Sequence, residues 1–315
     1  MASNLALRRV GLATAAIGSY TATVYFTYQF MTSNTEGEDP KSKLISNPCG
    51  CSSCYVTDPK RNETYQRIAE AYDEEISREE AAMGMNLLRR ALLYFHAAGN
   101  VLEVGAGTGR NLSYYPAGVN EITLTDVSDQ MLLQARKKVK QLKEDKSRFK
   151  LFVADALNMT EYYKEDAFDT VVDTFGLCSF DDPVEVLREL QRVCKPGGKI
   201  LLLEHGRSKT FEGLNNYLDR NAERHAKNWG CVFNRDIDKL IEESGLKIEK
   251  LHRWHFGTTY YIVCRPGSGK YVPRVRKETT LDSTIVSDYE KRNDIATKNE
   301  SRRLFFIPSW LKREK

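Results

Sequence analysis

The sequence carries almost no excess charge: 47 Lys and Arg stand against 43 Asp and Glu in 315 residues, a formal net of +4. What excess there is gathers at one end, because Ser268 to Lys315 holds 12 Lys or Arg against 7 Asp or Glu. The rest of the chain lacks the concentrated basic surface on which nucleic-acid binding rests, so a DNA or RNA partner is not expected. Histidine is scarce, five residues in all, and none lies near the clustered Cys49, Cys51 and Cys54. A closed structural zinc site needs four ligands, so that cluster does not make one and no metal is expected. A disulfide, a redox pair or a simple turn fits it. Cys178, Cys194, Cys231 and Cys264 stand in or beside expected core elements and read as small buried hydrophobes.

One stretch has no charge at all. Val10 to Met31 runs for 22 residues between Arg8-Arg9 and the acidic Glu36, Glu38 and Asp39, and about 20 residues of helix cross a bilayer. Its Thr, Ser and Gln make it moderately apolar, and Tyr20, Tyr25, Phe26 and Tyr28 gather toward its far end as interface residues do. A cleaved secretory peptide has a shorter apolar region and a mitochondrial presequence spreads its arginines, so a retained single-pass anchor is expected. Arg8 and Arg9, a small bias, keep the short leading segment on the more negative side and the bulk of the chain on the other. In the mitochondrial inner membrane that other side is the intermembrane space. The expected organisation is a segment at 1–9, the anchor at 10–31 and a polar tether at 32–61 with Pro40, Pro48, Pro59 and the three cysteines. One domain at 62–267 and a basic tail at 268–315 complete it. The tail ends in apolar and aromatic residues beside cations, Leu304 to Arg313, which suits membrane-surface or partner docking, or disorder.

What is present begins with glycine. Val101-Leu-Glu-Val-Gly105-Ala-Gly107-Thr-Gly109-Arg-Asn111 reads as a buried strand, three glycines at alternate positions and then a helix. Glycines without Cβ atoms let the backbone take unusual dihedrals and approach a ligand closely, as turns that hold nucleosides do. Glu103, near the strand's end, can meet polar groups of that ligand. A nicotinamide fingerprint needs a third glycine where Arg110 stands, which argues against that class of enzyme. Asp126 ends an expected strand at Asn120 to Asp126, 17 residues past Gly109; a carboxylate there can accept hydrogen bonds from both ribose hydroxyls. Ser128 follows as a helix N-cap. A third strand, Phe149 to Val153, runs into Ala154-Asp155-Ala156, where Asp155 can meet the exocyclic amine of an adenine.

Phe168 to Asp173 reads as a fourth strand, Pro183 to Cys194 as a helix with Val186, Leu187, Leu190 and Val193 at helical spacing, and Lys199 to Glu204 as a fifth strand. Pro196-Gly197-Gly198 supplies the break between them. Such alternation argues an α/β fold with a parallel sheet covered on both faces. Lys247 to Phe256 and Thr258 to Arg265, joined at Gly257, must pair antiparallel, because a parallel return needs a long crossover. Ahead of all these, Tyr65, Ile68, Ala69, Tyr72 and Ile76 mark one amphipathic helix.

In that order and at those intervals, Glu103-Val-Gly105-Ala-Gly107-Thr-Gly109, Asp126-Val-Ser128, Ala154-Asp155-Ala156, Phe168-Asp-Thr-Val-Val172 and Lys195-Pro-Gly-Gly-Lys199 resemble the successive motifs of class I S-adenosylmethionine-dependent methyltransferases. The resemblance spans Tyr65 to Pro266. It implies a Rossmann-like seven-stranded mixed sheet with a terminal β-hairpin and S-adenosylmethionine as cofactor. It places Glu103, Gly105, Gly107 and Gly109 around the methionine moiety, Asp126 on the ribose and Asp155 near adenine, with the Tyr72-Asp73 helix over the cleft. Leu177-Cys-Ser-Phe-Asp-Asp-Pro183, Leu203-Glu-His-Gly-Arg-Ser208 and Asn228-Trp-Gly-Cys231 resemble a narrower, membrane-anchored group. That group includes a yeast mitochondrial inner-membrane methyltransferase and the methyltransferase-like thiol enzymes of animals, and the segments are more distantly similar to the C-methyltransferases of ubiquinone and menaquinone synthesis. It implies the mitochondrial inner membrane, with the endoplasmic reticulum as the alternative.

Methyl transfer from a sulfonium is an in-line displacement, so the protein mainly positions the acceptor and excludes water. A base is needed only for an acceptor that starts protonated. His205, at the carboxyl end of the fifth strand where open α/β sheets bind ligands, is the candidate catalytic base. His225 follows on a helix, and Asp173 and Asp181 are placed to line an acceptor pocket. The function read from the sequence is a membrane-anchored methyltransferase with a small or lipophilic acceptor, because such an enzyme gains most when its substrate shares its membrane. A membrane assembly or scaffold protein that keeps the fold without turnover is the alternative. The sequence assigns neither an acceptor atom nor an oligomeric state.

Overall fold

The computed structural model describes residues 61–143 and 145–267. The expected anchor, the tether with Cys49, Cys51 and Cys54, and the basic tail lie outside the described residues. Among the described residues no helix is long and apolar enough to cross a membrane.

Seven strands, β1 (Gly99–Val104), β2 (Val119–Asp126), β3 (Phe149–Val153), β4 (Phe168–Thr174), β5 (Cys194–His205), β6 (Lys247–Trp254) and β7 (Thr259–Arg265), form one sheet in the order β3-β2-β1-β4-β5-β7-β6. β1 to β5 pair parallel, and β7 lies antiparallel to both β5 and β6. The order reverses between β1 and β4, which opens a crevice at the carboxyl ends of those strands. Val101, Leu102 and Val104, Ile122 and Leu124, Val171 and Val172, and Ile200 to Leu203 are fully buried. Such predominantly apolar strands, broken only by the buried Glu103 and Thr123, are what coverage on both faces requires. β3 and β6 are the edge strands, and the exposed Lys247, Lys250 and Arg253 of β6 discourage pairing with another chain.

Among the described residues seven α-helices accompany the sheet: α1 (Arg61–Ile68), α2 (Tyr72–Ala82), α3 (Met85–His96), α4 (Asp129–Gln141), α5 (Pro183–Val193), α6 (Glu212–Trp229) and α7 (Ile237–Ser244). α5 starts where Asp182 accepts a hydrogen bond from the Glu185 amide and Pro183 fills the first turn. α4 starts likewise at Ser128, whose hydroxyl accepts from the Met131 amide. Successive strand residues face opposite sides, so the core has two halves. Leu102, Val171, Ile200 and Leu202 pack with Val186 and Leu190 of α5 and Leu240 of α7; Val101, Val172, Leu201 and Leu203 pack with Leu92 and Leu93 of α3.

Four local expectations are corrected. The single amphipathic helix from Tyr65 is two, α1 and α2, because the Ala71 amide turns back onto the Ile68 carbonyl. No helix follows the glycines: residues 107–114 form successive turns, with amides of Gly109, Leu112 and Tyr114 reaching back three residues. Gly105, Gly107 and Gly109 all have positive φ (56°, 54° and 75°), which a right-handed helix does not admit. β5 starts at Cys194, before the expected break, and its pairing with β4 slips between Phe168 and Thr170, so Pro196 to Gly198 form an irregularity inside the strand. β6 and β7 pair antiparallel as expected, but their link runs over His255 to Thr258 rather than Gly257 alone, and His255, Phe256 and Gly257 in it are all left-handed.

Candidate functional site

Above the carboxyl ends of β1, β2 and β4 lies a cavity of about 280 Å³ lined by Glu103, Gly105, Gly107, Tyr72, Asp126 and Asp155 among others. It falls just short of the roughly 300 Å³ at which small-molecule pockets begin, and so suits one small molecule. A Cβ at Gly107 would meet nothing nearer than the Gly105 carbonyl oxygen at 4.0 Å, which leaves the floor open. At Gly105 a Cβ would sit 3.3 Å from the Phe180 ring. Gly109 does not line the cavity. Its Cβ would stand 2.6 Å from Leu112 and 3.1 Å from Ala135, so it is glycine for close packing of the turn on α4.

Asp126 fastens the glycine turn. Its carboxylate accepts hydrogen bonds from the Gly107 amide and the Ser128 amide, each at 2.8 Å. Burial pushes its carboxyl up and these amides oppose that. A carboxylate offers about four lone-pair directions, so acceptor capacity remains for a ligand. Asp155 accepts from the Leu157 amide at 2.9 Å and stands on the cavity wall between Ala154 and Ala156.

Beneath the turn lies a buried polar ring that sequence reasoning missed. Glu103, 2% exposed, accepts from Asn111 Nδ2 at 2.9 Å and from the Tyr115 hydroxyl at 2.6 Å. Burial raises its carboxyl to about 7, against the pull of Tyr115, Asn111 and Arg89. Arg89 donates to Asn111 Oδ1, Thr174 Oγ1 and Glu80 Oε1, and its guanidinium lies 4.8 Å over the Phe175 ring. Arg89, which shares the helix face of Leu92 and Leu93 while Arg90 faces out, was the available signal, since a buried charge needs partners.

The helix implied to cover the cleft does so through its first residue: Tyr72 lines the cavity. Asp73 instead turns to the glycine turn, accepting from Thr108 Oγ1 at 2.7 Å and from Arg110, and pairing with Lys138. Glu80 holds Arg110 with two more hydrogen bonds. On the other wall Tyr65 and Ser179 share a hydroxyl hydrogen bond, and Arg61 pairs with Asp181.

Of the four acceptor-side residues singled out in the sequence, Asp181 lines the cavity and His205, His225 and Asp173 do not. The His205 ring lies edge-on to Phe175, a wall residue, and its Nε2 is 3.1 Å from Cys231 Sγ. His225 stacks on Phe233 at 4.2 Å. Asp173 and Glu204 are fully buried, and among the described residues neither carboxylate finds a partner of full hydrogen-bond geometry. Burial therefore pushes both carboxyls well above the ordinary range, offset in part by the Gly176 amide.

A mixed sheet of this order, with an open glycine floor between rim carboxylates at its switch point, defines a nucleoside-binding α/β protein. Residues 102–202 match the family model described as a methyltransferase domain. The chain is 36% identical over 262 residues to the mitochondrial methyltransferase OMS1 of Saccharomyces cerevisiae, covering 77% of this chain and 55% of that protein. It is 30% identical over 166 residues to the ubiquinone/menaquinone biosynthesis C-methyltransferase UbiE of Bdellovibrio bacteriovorus, covering 50% and 67%. An O-methyltransferase family protein from Burkholderia thailandensis shares the fold, with a TM-score of 0.53 at 18% identity over 67% of this chain and 63% of that one. The chain belongs to the class I S-adenosylmethionine-dependent methyltransferases. It spans just over half the length of the yeast relative. The cleft fits that family's cofactor, because its floor at Gly107 is open and two rim carboxylates keep acceptor capacity toward hydroxyl and amine donors.

Proposed function

We propose that this chain is a membrane-anchored methyltransferase that carries a methyl group from S-adenosylmethionine to a small or lipophilic acceptor. The observation that carries the reading is the open floor at Gly107 flanked by Asp126 and Asp155. Gly105 and Gly107 would take the methionine part with Glu103 behind them, Asp126 the ribose hydroxyls and Asp155 the adenine amine. Bound there, S-adenosylmethionine supplies a methyl group made electrophilic by its sulfonium. The chain's own part is to align the acceptor and keep water out. Tyr65, Tyr72, Phe175 and Phe180 wall the cavity with rings, and the ion pairs of Asp73 and Glu80 with Arg110 hold α2 in place.

The wall also bears on the acceptor. Arg61, Arg89 and Arg110 line the cavity, and each is already paired with a carboxylate, so an anionic acceptor gains little there. Among the described residues no imidazole lines the cavity. An acceptor that gives up its proton readily, such as a thiol, or one that needs no base, is favoured over an alcohol. The uncharged Val10 to Met31 and the mitochondrial yeast relative support a place on a mitochondrial membrane.

The test is transfer of labelled methyl from the cofactor by the full-length protein into a native membrane extract, followed by separation of lipid, protein and small-molecule fractions. Label is expected in the lipid or small-molecule fraction. Label confined to protein contradicts the acceptor class, and cofactor binding without any labelled product supports a scaffold.

A further inference from the structure

We propose that Cys178, His205 and Cys231 form a binding site for one thiophilic d¹⁰ metal ion, with zinc(II) as the reference case. The three ligands come from the loop after β4, the end of β5 and the loop after α6. Their ligand atoms all lie within 4.8 Å of one another, and His205 Nε2 is 3.1 Å from Cys231 Sγ. Bonds of 2.0 to 2.3 Å to a tetrahedral zinc set ligand atoms roughly 3.3 to 3.8 Å apart, so small side-chain rotations bring this set onto one ion. Cys178 and Cys231 are 2% and 6% exposed, and their backbones are tied by the Val232 amide donating to the Cys178 carbonyl at 2.9 Å. α6 stops at Gly230, where φ is +70° and a Cβ would meet Tyr65 at 2.9 Å. That tight stop delivers Cys231 to His205.

Two sulfurs and one imidazole nitrogen select zinc(II) or copper(I) over the oxygen-seeking magnesium and calcium. Three protein ligands leave a fourth position open. Ser179 Oγ lies 3.4 Å from Cys178 Sγ, and Ser179 lines the cofactor cavity, so the site stands one residue behind the acceptor-side wall. The sequence expectation of no metal rested on close ligand spacing. Here consecutive ligands lie 27 and 26 positions apart; the neighbouring places of β4 and β5 in the sheet bring Cys178 and His205 together, and the Val232 amide on the Cys178 carbonyl brings Cys231 to them.

The test uses the full-length chain with Cys49, Cys51 and Cys54 changed to serine, so that the tether offers no thiols. The reduced protein, stripped of metal by chelation, is titrated with Co²⁺ and then Zn²⁺. One equivalent of Co²⁺ is expected, with thiolate-to-cobalt charge-transfer absorption that one equivalent of Zn²⁺ removes. Cys178→Ser, Cys231→Ser and His205→Ala each weaken zinc binding by at least about tenfold. A chain folded by circular dichroism that gives no such absorption overturns the site. So does absorption that survives in the Cys178→Ser, Cys231→Ser double variant, or a Cys178–Cys231 disulfide in protein isolated without oxidant.

Discussion

Glu103→Gln keeps the shape of the side chain and removes its titration. In the folded protein the Glu103 carboxyl is 2% exposed and raised to about 7, whereas in the unfolded chain it returns to the ordinary 4.5. Between those values the folded state holds a proton that the unfolded state has released. The group's contribution to stability is therefore complete below about pH 4.5 and is lost as the pH rises through about 7. The interval corresponds to roughly 3 kcal/mol, an upper figure for a group that also keeps two hydrogen bonds when ionised. Glutamine can accept from Asn111 and donate to the Tyr115 oxygen, so what it costs, about 1 kcal/mol, is the same at every pH. The ionised Glu103 is itself one of the charges that raise Asp173, so the variant also relieves that neighbour and the difference reads the two together. Urea unfolding of wild type and variant in mild detergent, from pH 4.5 to pH 8, reads that difference. The variant should gain on the wild type by as much as roughly 3 kcal/mol across the range. A difference independent of pH would refute the reading of Glu103 as a buried carboxyl that keeps its proton.

Asp126→Ala removes the acceptor of the Gly107 and Ser128 amides along with the proposed ribose partner; titration calorimetry should show cofactor binding weaker by about 1 to 3 kcal/mol. Unchanged affinity would place the ribose elsewhere. Gly109→Ala puts a Cβ 2.6 Å from Leu112 at a φ of +75°, and thermal unfolding should show a loss of about 2 to 4 kcal/mol from overpacking and backbone strain. The variant that remains folded should bind cofactor as the wild type does, since Gly109 lines no part of the cavity; a selective loss of binding would return Gly109 to the site.

The strands were legible because strands buried on both faces are rich in apolar residues: Ile200 to Leu203 is an unbroken run, and Val101, Leu102 and Val104, with Ile122 and Leu124, are interrupted only by Glu103 and Thr123. Gly257 made the closing hairpin legible in the same local way. Gly105, Gly107, Asp126 and Asp155 fell together because each follows or ends a parallel strand, and those ends meet in the sheet. The turns at 107–114 were not legible as turns, because Arg110 to Tyr115 carries no breaker of its own and the glycines before it decide the backbone. The ring of Arg89, Glu103, Asn111 and Thr174 joins four separate segments through tertiary packing, which no periodicity records. His205 sat at the expected strand end, yet Phe175 stands between it and the cavity, and its nearest reactive neighbour is Cys231. That position depends on how the loops after β4 and α6 meet.

The central claim is that the Gly107 floor holds S-adenosylmethionine. Its most direct test is titration calorimetry of the cofactor into the full-length wild type and Gly107→Arg. The floor has room for a Cβ, and a left-handed non-glycine residue costs about 1 to 2 kcal/mol, so the variant should keep its fold by circular dichroism while the arginine fills the cavity. One cofactor should bind per wild-type chain and none to the folded variant. Equal affinity in the two proteins, or no binding to the wild type, would contradict the account.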